Sequence, residues 1–178
     1  MPTHSRLIWS RTIPNTLRVL ICALILGTGE GNVSRVYGDD APKDSPIVYV
    51  KPKGWMLAGP SQFVAVQFEI VDDDQKAKTT VSKLPPRAGM WLLNVNRWRA
   101  QIGLEAVDEA ELSSEKIKVQ GIEGQYISLE SPEKSILGVM VQRDDGVWFF
   151  KMLGSRELVS QQKMAFNSFV RSVKFKKS

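Results

Sequence analysis

The segment GVWFFKML, Gly146 to Leu153, is apolar on both of its alternating sets. Trp148, Phe150 and Met152 form one set; Val147, Phe149 and Leu153 form the other. A strand points successive side chains to opposite faces, so this one needs apolar cover on both sides. That places it in the middle of a sheet with helices above and below. The expected fold is a single-domain α/β/α sandwich, with a central, mainly antiparallel sheet flanked by helices. ILGVMVQ precedes it, and Asp144-Asp145-Gly146 between the two apolar runs reads as a hairpin turn.

Other segments alternate more strictly. In FVAVQFEI, Phe63 to Ile70, the residues Val64, Val66, Phe68 and Ile70 share one face, the mark of a half-buried strand. KTTVSKL, Lys78 to Leu84, is its expected hairpin partner, with Asp72, Asp73 and Asp74 as a solvated turn and Pro85-Pro86 as the stop. KIKVQGI and QYISLES flank Glu123-Gly124, which suggests a turn there. IVYV is a short strand candidate, and PKGWML follows it through a Pro-Lys-Gly turn. An acidic segment, EAVDEAELSS, precedes KIKVQGI, and no internal repeat is present.

Two stretches carry helical periodicity. In SQQKMAFNSFVRSV, Phe166, Phe169, Val170 and Val173 recur at i, i+3, i+4 and i+7. Ser160 is the expected N-cap, with Val159 and Met164 as a hydrophobic staple. The other is NVNRWRAQIGL and the residues just before it. Trp91, Val95, Trp98 and Ile102 share one narrow arc, an apolar stripe that lays two tryptophans on the sheet. Asn94, Arg97 and Gln101 line one flank, Asn96 and Arg99 fall on the other side, and Gly103 ends the helix. Asn94, Arg97 and Gln101 are the candidate site residues. They serve either to pin the helix to a neighbouring loop and cover the tryptophans, or to bind a protein or small anion; nucleic acid is the least favoured ligand.

Charge and termini set the organisation. Arg6, Arg11 and Arg18 precede the eight-residue apolar run VLICALIL, and small residues follow at Gly27 and Gly29. That order is the pattern of a secretory signal peptide, and the run is short beside the roughly twenty residues of a spanning helix. The expected organisation is a signal peptide over 1–29, cleaved after Gly29 or Gly38, a flexible linker over 30–45, one α/β/α domain over 46–175 and a basic tail over 176–178. Cys22 follows Ile21 rather than a small residue, against a lipoprotein. Asn32-Val33-Ser34 forms a glycosylation sequon that matters only in a glycosylating host. Taking the three N-terminal arginines from the 24 basic residues leaves 21 against 19 acidic ones. Such a near-neutral domain lacks the dense basic face of a nucleic-acid binder. Membrane contact is expected only through the signal segment if it is retained.

The chemistry is narrowed further by what the domain lacks. The one His is His4 and the one Cys is Cys22, both within the expected signal. Imidazole and thiol nucleophile systems, Cys/His zinc sites, haem and iron–sulfur ligation, and disulfides are therefore excluded from the mature chain. VDDDQKAK lacks the spacing of an EF-hand loop, and no glycines have the spacing of a phosphate loop. No metal, cofactor or catalytic residue is assigned.

The PKGW start, the helix NVNRWRAQIGL, WFFKMLG and the closing FNSFVRSVKF resemble a family of uncharacterised bacterial exported proteins. Their domain is similar to the PsbP/Mog-like superfamily, an antiparallel sheet between helices. The resemblance spans about Pro46 to Phe175. PsbP-like proteins are non-catalytic lumenal subunits of photosystems, and Mog proteins bind a small GTPase; neither role maps onto matching residues here. The resemblance implies a scaffold-like domain without catalytic activity, binding an envelope or extracytoplasmic protein. The alternative is a soluble module that holds a small anionic or apolar ligand between sheet and helix, with Arg97 as charge partner. An enzyme using carboxylates or lysines ranks third.

Overall fold

The computed structural model describes residues 44–59 and 61–176. The expected signal peptide with Cys22, both cleavage positions, nearly all of the linker and the last two residues of the basic tail lie outside the described residues. Among the described residues no helix is long and apolar enough to cross a membrane.

The fold is a mixed α/β sandwich built on a seven-stranded, wholly antiparallel sheet. In chain order the described strands are β1 (Ile47–Val48), β2 (Met56–Leu57), β3 (Val64–Asp72), β4 (Gln75–Leu84), β5 (Glu115–Val119), β6 (Ile122–Glu130), β7 (Lys134–Arg143), β8 (Gly146–Ser155) and β9 (Lys174–Phe175). The sheet order is β2-β3-β4-β8-β7-β6-β5, and β1 pairs with β9 in a separate ladder. β8, the strand apolar on both sets, is the central strand of the seven. Helix α1 (Trp91–Gln101) lies on one face and α2 (Arg156–Ser172) on the other.

The two apolar sets of β8 feed two cores. Trp148, Phe150 and Met152 pack with Phe166, Phe169 and Val170 of α2. Val147 and Phe149 pack with Val95, Trp98 and Ile102 on the α1 side. The α2 side is closed across its width. Over β3 the cover comes from the chain before β2: Phe68 meets the rings of Tyr49, Trp55 and Phe169, each with centroids 5.4–5.5 Å away. Such tilted and edge-on aromatic pairs add about 0.5–1.5 kcal/mol each beyond burial. Trp55 also donates its indole N–H to Gln162 Oε1 of α2 at 2.9 Å.

Three local expectations are corrected. The β5–β6 turn is Gln120-Gly121, not Glu123-Gly124. Gln120 and Gly121 both have positive φ, 51° and 83°, the requirement of a two-residue turn that matches strand twist. Glu123 and Gly124 lie within β6, and a Cβ on Gly124 would come within 2.8 Å of Met140 O. Next, α2 begins after Ser155 rather than at Ser160, because a partner distant in sequence caps it. Gln75 Oε1, at the start of β4, accepts from Leu158 N–H at 3.0 Å and from the Ser155 hydroxyl at 2.9 Å. The Arg156 N–H donates to Glu133 O at 2.9 Å. With Ser155 as N-cap, Val159 falls at N4 opposite Gly154 at N′, so the Val159–Met164 staple does not form, and Met164 is exposed. Finally, KTTVSKL is the latter part of a longer β4 that opens at Gln75, directly after the Asp73-Asp74 turn.

Candidate functional site

The α1 side of the sheet is covered over only half its width. Beneath α1 lie Ile127 and Leu129 of β6, Ile136 and Met140 of β7, and Val147 and Phe149 of β8. Trp98 fits this place because β7 has no side chain there. A Cβ on Gly138 would stand 2.3 Å from the Trp98 ring, so indole rests directly on backbone. Trp91 meets Trp98 edge-on at 5.8 Å, and Trp98 meets Phe149 at 6.1 Å.

The strands beyond β8 alternate, and their second set is mostly polar. β3 presents Gln67, Glu69 and Val71; β4 presents Lys76, Lys78, Thr80 and Ser82. Register aligns them in rows: Val71 with Lys76, Glu69 with Lys78 and Leu153, Gln67 with Thr80 and Lys151. Glu69, Val71, Lys76 and Lys78 are exposed. A groove of about 320 Å³ crosses this surface between Val71, Lys78 and Leu153.

The helix polar residues divide into loop anchors and a free flank. Asn94 is buried, and its amide donates to Ala88 O at 2.9 Å and Met90 O at 2.8 Å, tying α1 to the turn that feeds it. Asn96 donates to Val107 O at 2.8 Å and accepts from Val107 N–H at 3.0 Å. Arg99 donates through Nε to Glu105 O. These contacts hold the long α1–β5 connection against the helix. Arg97 and Gln101 are exposed. Among the described residues Arg97 reaches only Asn94 Oδ1, at 3.5 Å, and Gln101 Oε1 accepts from Lys151 Nζ at 2.9 Å. Of the three candidates, then, Asn94 is turned into its own loop. Gln101 borders the bare half of the sheet through Lys151, and Arg97 stands one turn earlier on the same flank of α1. The expected stacking of Arg97 on tryptophan is absent among the described residues, whose cation–π contacts are Lys83 on Trp148, Arg143 on Phe175 and Lys163 on Tyr126.

Lys151 is the residue that periodicity of α1 alone does not reveal. It is half-buried on the α1 side of an otherwise apolar strand. Burial holds its ammonium below the usual lysine range, and the charge of Lys78 lowers it further. A lysine at an inward-facing position of GVWFFKML is a visible signal in the sequence.

A larger depression of about 630 Å³ lies at the start of α2, lined by Gln75, Glu130, Glu133, Arg156 and Glu157 among others. Two of its first-turn N–H donors, those of Leu158 and Arg156, are already taken by Gln75 and Glu133. Among the described residues no three His, Cys, Asp or Glu side chains gather as a metal-holding group.

No protein-family model and no curated protein matches the sequence. Among solved structures, cyanobacterial PsbP (CyanoP) from Synechocystis sp. PCC 6803 is similar, with a TM-score of 0.50 at 15% identity, over 84% of this chain and 98% of that one. This likeness shows a PsbP-like fold. A protein from Bacteroides thetaiotaomicron VPI-5482 aligns at TM-score 0.43 and 11% identity, over 75% of this chain, which spans 46% of the Bacteroides chain.

Proposed function

We propose that this chain is an exported, non-catalytic binding domain that associates with a protein in the cell envelope through the bare half of its sheet. The observation that carries the reading is the unequal cover of the two faces. One side is sealed by α2 and the segment around Trp55, while β3 and β4 stay open on the other beside Arg97 and Gln101. A broad, polar, shallow face suits a protein partner better than an enclosed small molecule. Export rests on the N-terminal pattern of Arg6, Arg11, Arg18 and VLICALIL. The absence of His and Cys beyond residue 22 favours binding over chemistry.

A second reading keeps a small anionic ligand, on the strength of the 320 Å³ groove and its lysines. Such a ligand would lie beside α1 rather than under it, since Trp98 fills that space. Lysine-directed crosslinking of an envelope fraction, followed by mass spectrometry, tests the main reading. One stoichiometric partner linked through Lys76, Lys78 or Lys151 is expected. Absence of a partner, together with a small molecule retained in native mass spectra, favours the second reading.

A further inference from the structure

Building on the reading of the bare half-sheet as a docking surface, we propose that its occupant is an extended acidic segment of the partner, with carboxylates at alternate positions, lying along β4. Three lysines line this face, Lys76, Lys78 and Lys151, with Arg97 on the neighbouring flank of α1; Glu69 is the acid within the strand rows, and Asp73 and Asp74 lie in the turn beyond Lys76. None of the four joins the ion pairs seen among the described residues, which include Lys83–Asp145, Arg143–Asp145, Lys116–Glu123 and Arg156–Glu130. The opposite edge shows the contrast: on β5, Lys116 is matched by Glu123 at 2.8 Å. On β5 the lysine is held in an ion pair, whereas Lys78 faces Glu69 across the β3–β4 ladder without forming one.

Spacing defines the shape of the occupant. Lys76 and Lys78 are alternate residues of one strand, hence about 6.8 Å apart. Carboxylates at i and i+2 of an extended segment repeat at the same interval. Lys151 stands one strand over, opposite Thr80, so a further carboxylate along the segment meets it beside Gln101. Val71 and Leu153 flank the lysines and give aliphatic side chains of the segment apolar contact. Complementary charge of this kind governs partner choice and association rate.

The test uses the full chain and a fluorescent peptide of alternating Glu and Val, read by anisotropy. Controls are the same peptide with Gln for Glu, a single-stranded oligonucleotide and vesicles rich in anionic lipid. The Glu peptide is expected to bind at least about tenfold tighter than the Gln peptide and to weaken as salt rises. The pair Lys76→Glu, Lys78→Glu should weaken it at least about tenfold, and Lys116→Glu, Lys118→Glu on β5 by less than about twofold, with circular dichroism unchanged. Equal binding of the Gln peptide, equal loss in the β5 variant, or tighter binding of oligonucleotide or vesicles overturns the proposal. Its failure is separable from that of the docking reading. A crosslinked partner retained by the Lys76→Glu, Lys78→Glu variant sinks the acidic segment alone. Peptide binding with no crosslinked protein sinks the envelope partner alone.

Discussion

Replacing Asn94 by alanine would remove the side-chain donor to the carbonyls of Ala88 and Met90, of which Met90 O keeps the backbone N–H of residue 94. Loss of these buried bonds should cost about 1–3 kcal/mol in chemical denaturation. Arg97→Ala, one turn later, removes an exposed side chain and should stay within about 0.5 kcal/mol. Both residues appear in NVNRWRAQIGL as polar members of one flank. Helical periodicity assigns them an angle around the axis but not the loop that comes to meet it. The same holds for Asn96, whose partner Val107 is eleven residues away. Gly138 is the counterpart on the sheet. Gly138→Ala would push a methyl into the Trp98 ring and should destabilise by about 1–3 kcal/mol, with a red shift of tryptophan emission as Trp98 lifts from its seat. In ILGVMV that glycine looks like a weak point of a strand; only the indole above it gives it a purpose.

Elements were legible where periodicity was strong and displaced where their ends depend on distant residues. The central strand, the β3 alternation and the apolar stripes of both helices follow directly from side-chain spacing. The start of α2 does not, because Gln75 caps it from another strand. Gln75→Ala should therefore cost about 1 kcal/mol and raise amide exchange in the first turn of α2, far from the substitution in sequence. The β5–β6 turn is not legible in the same way because two glycines compete, Gly121 and Gly124, and sequence does not say which needs positive φ and which needs room. The β7–β8 turn carries a pH-dependent clamp. Hydrogen bonding from Lys83, and then from Arg143, holds the Asp145 carboxyl below the usual carboxylate range. A depressed folded-state value stabilises above the unfolded value and is lost as pH falls through the folded one. Asp145→Asn should thus lower stability by up to about 1 kcal/mol at neutral pH, a difference that closes in acid.

At the scale of the molecule, the hydrophobic pattern maps the cover on each strand. Strands apolar on both sets, β7 and β8, lie beneath helices on both sides; β3, apolar on one set, is open on the other. The sandwich was readable from that contrast. The site was only half readable: Arg97 and Gln101 stood out, while Lys76, Lys78 and Lys151 join them only through the β4–β8 register. In the proposed reading, this bare half-face is the one a partner covers. Acylation footprinting of lysines by mass spectrometry, in intact producing cells against the purified chain, measures that directly. Lys76 and Lys78 should be protected in cells while Lys116 and Lys118 react equally in both. Equal reactivity of Lys76 and Lys78 in the two settings, or protection confined to Lys116 and Lys118, would contradict it.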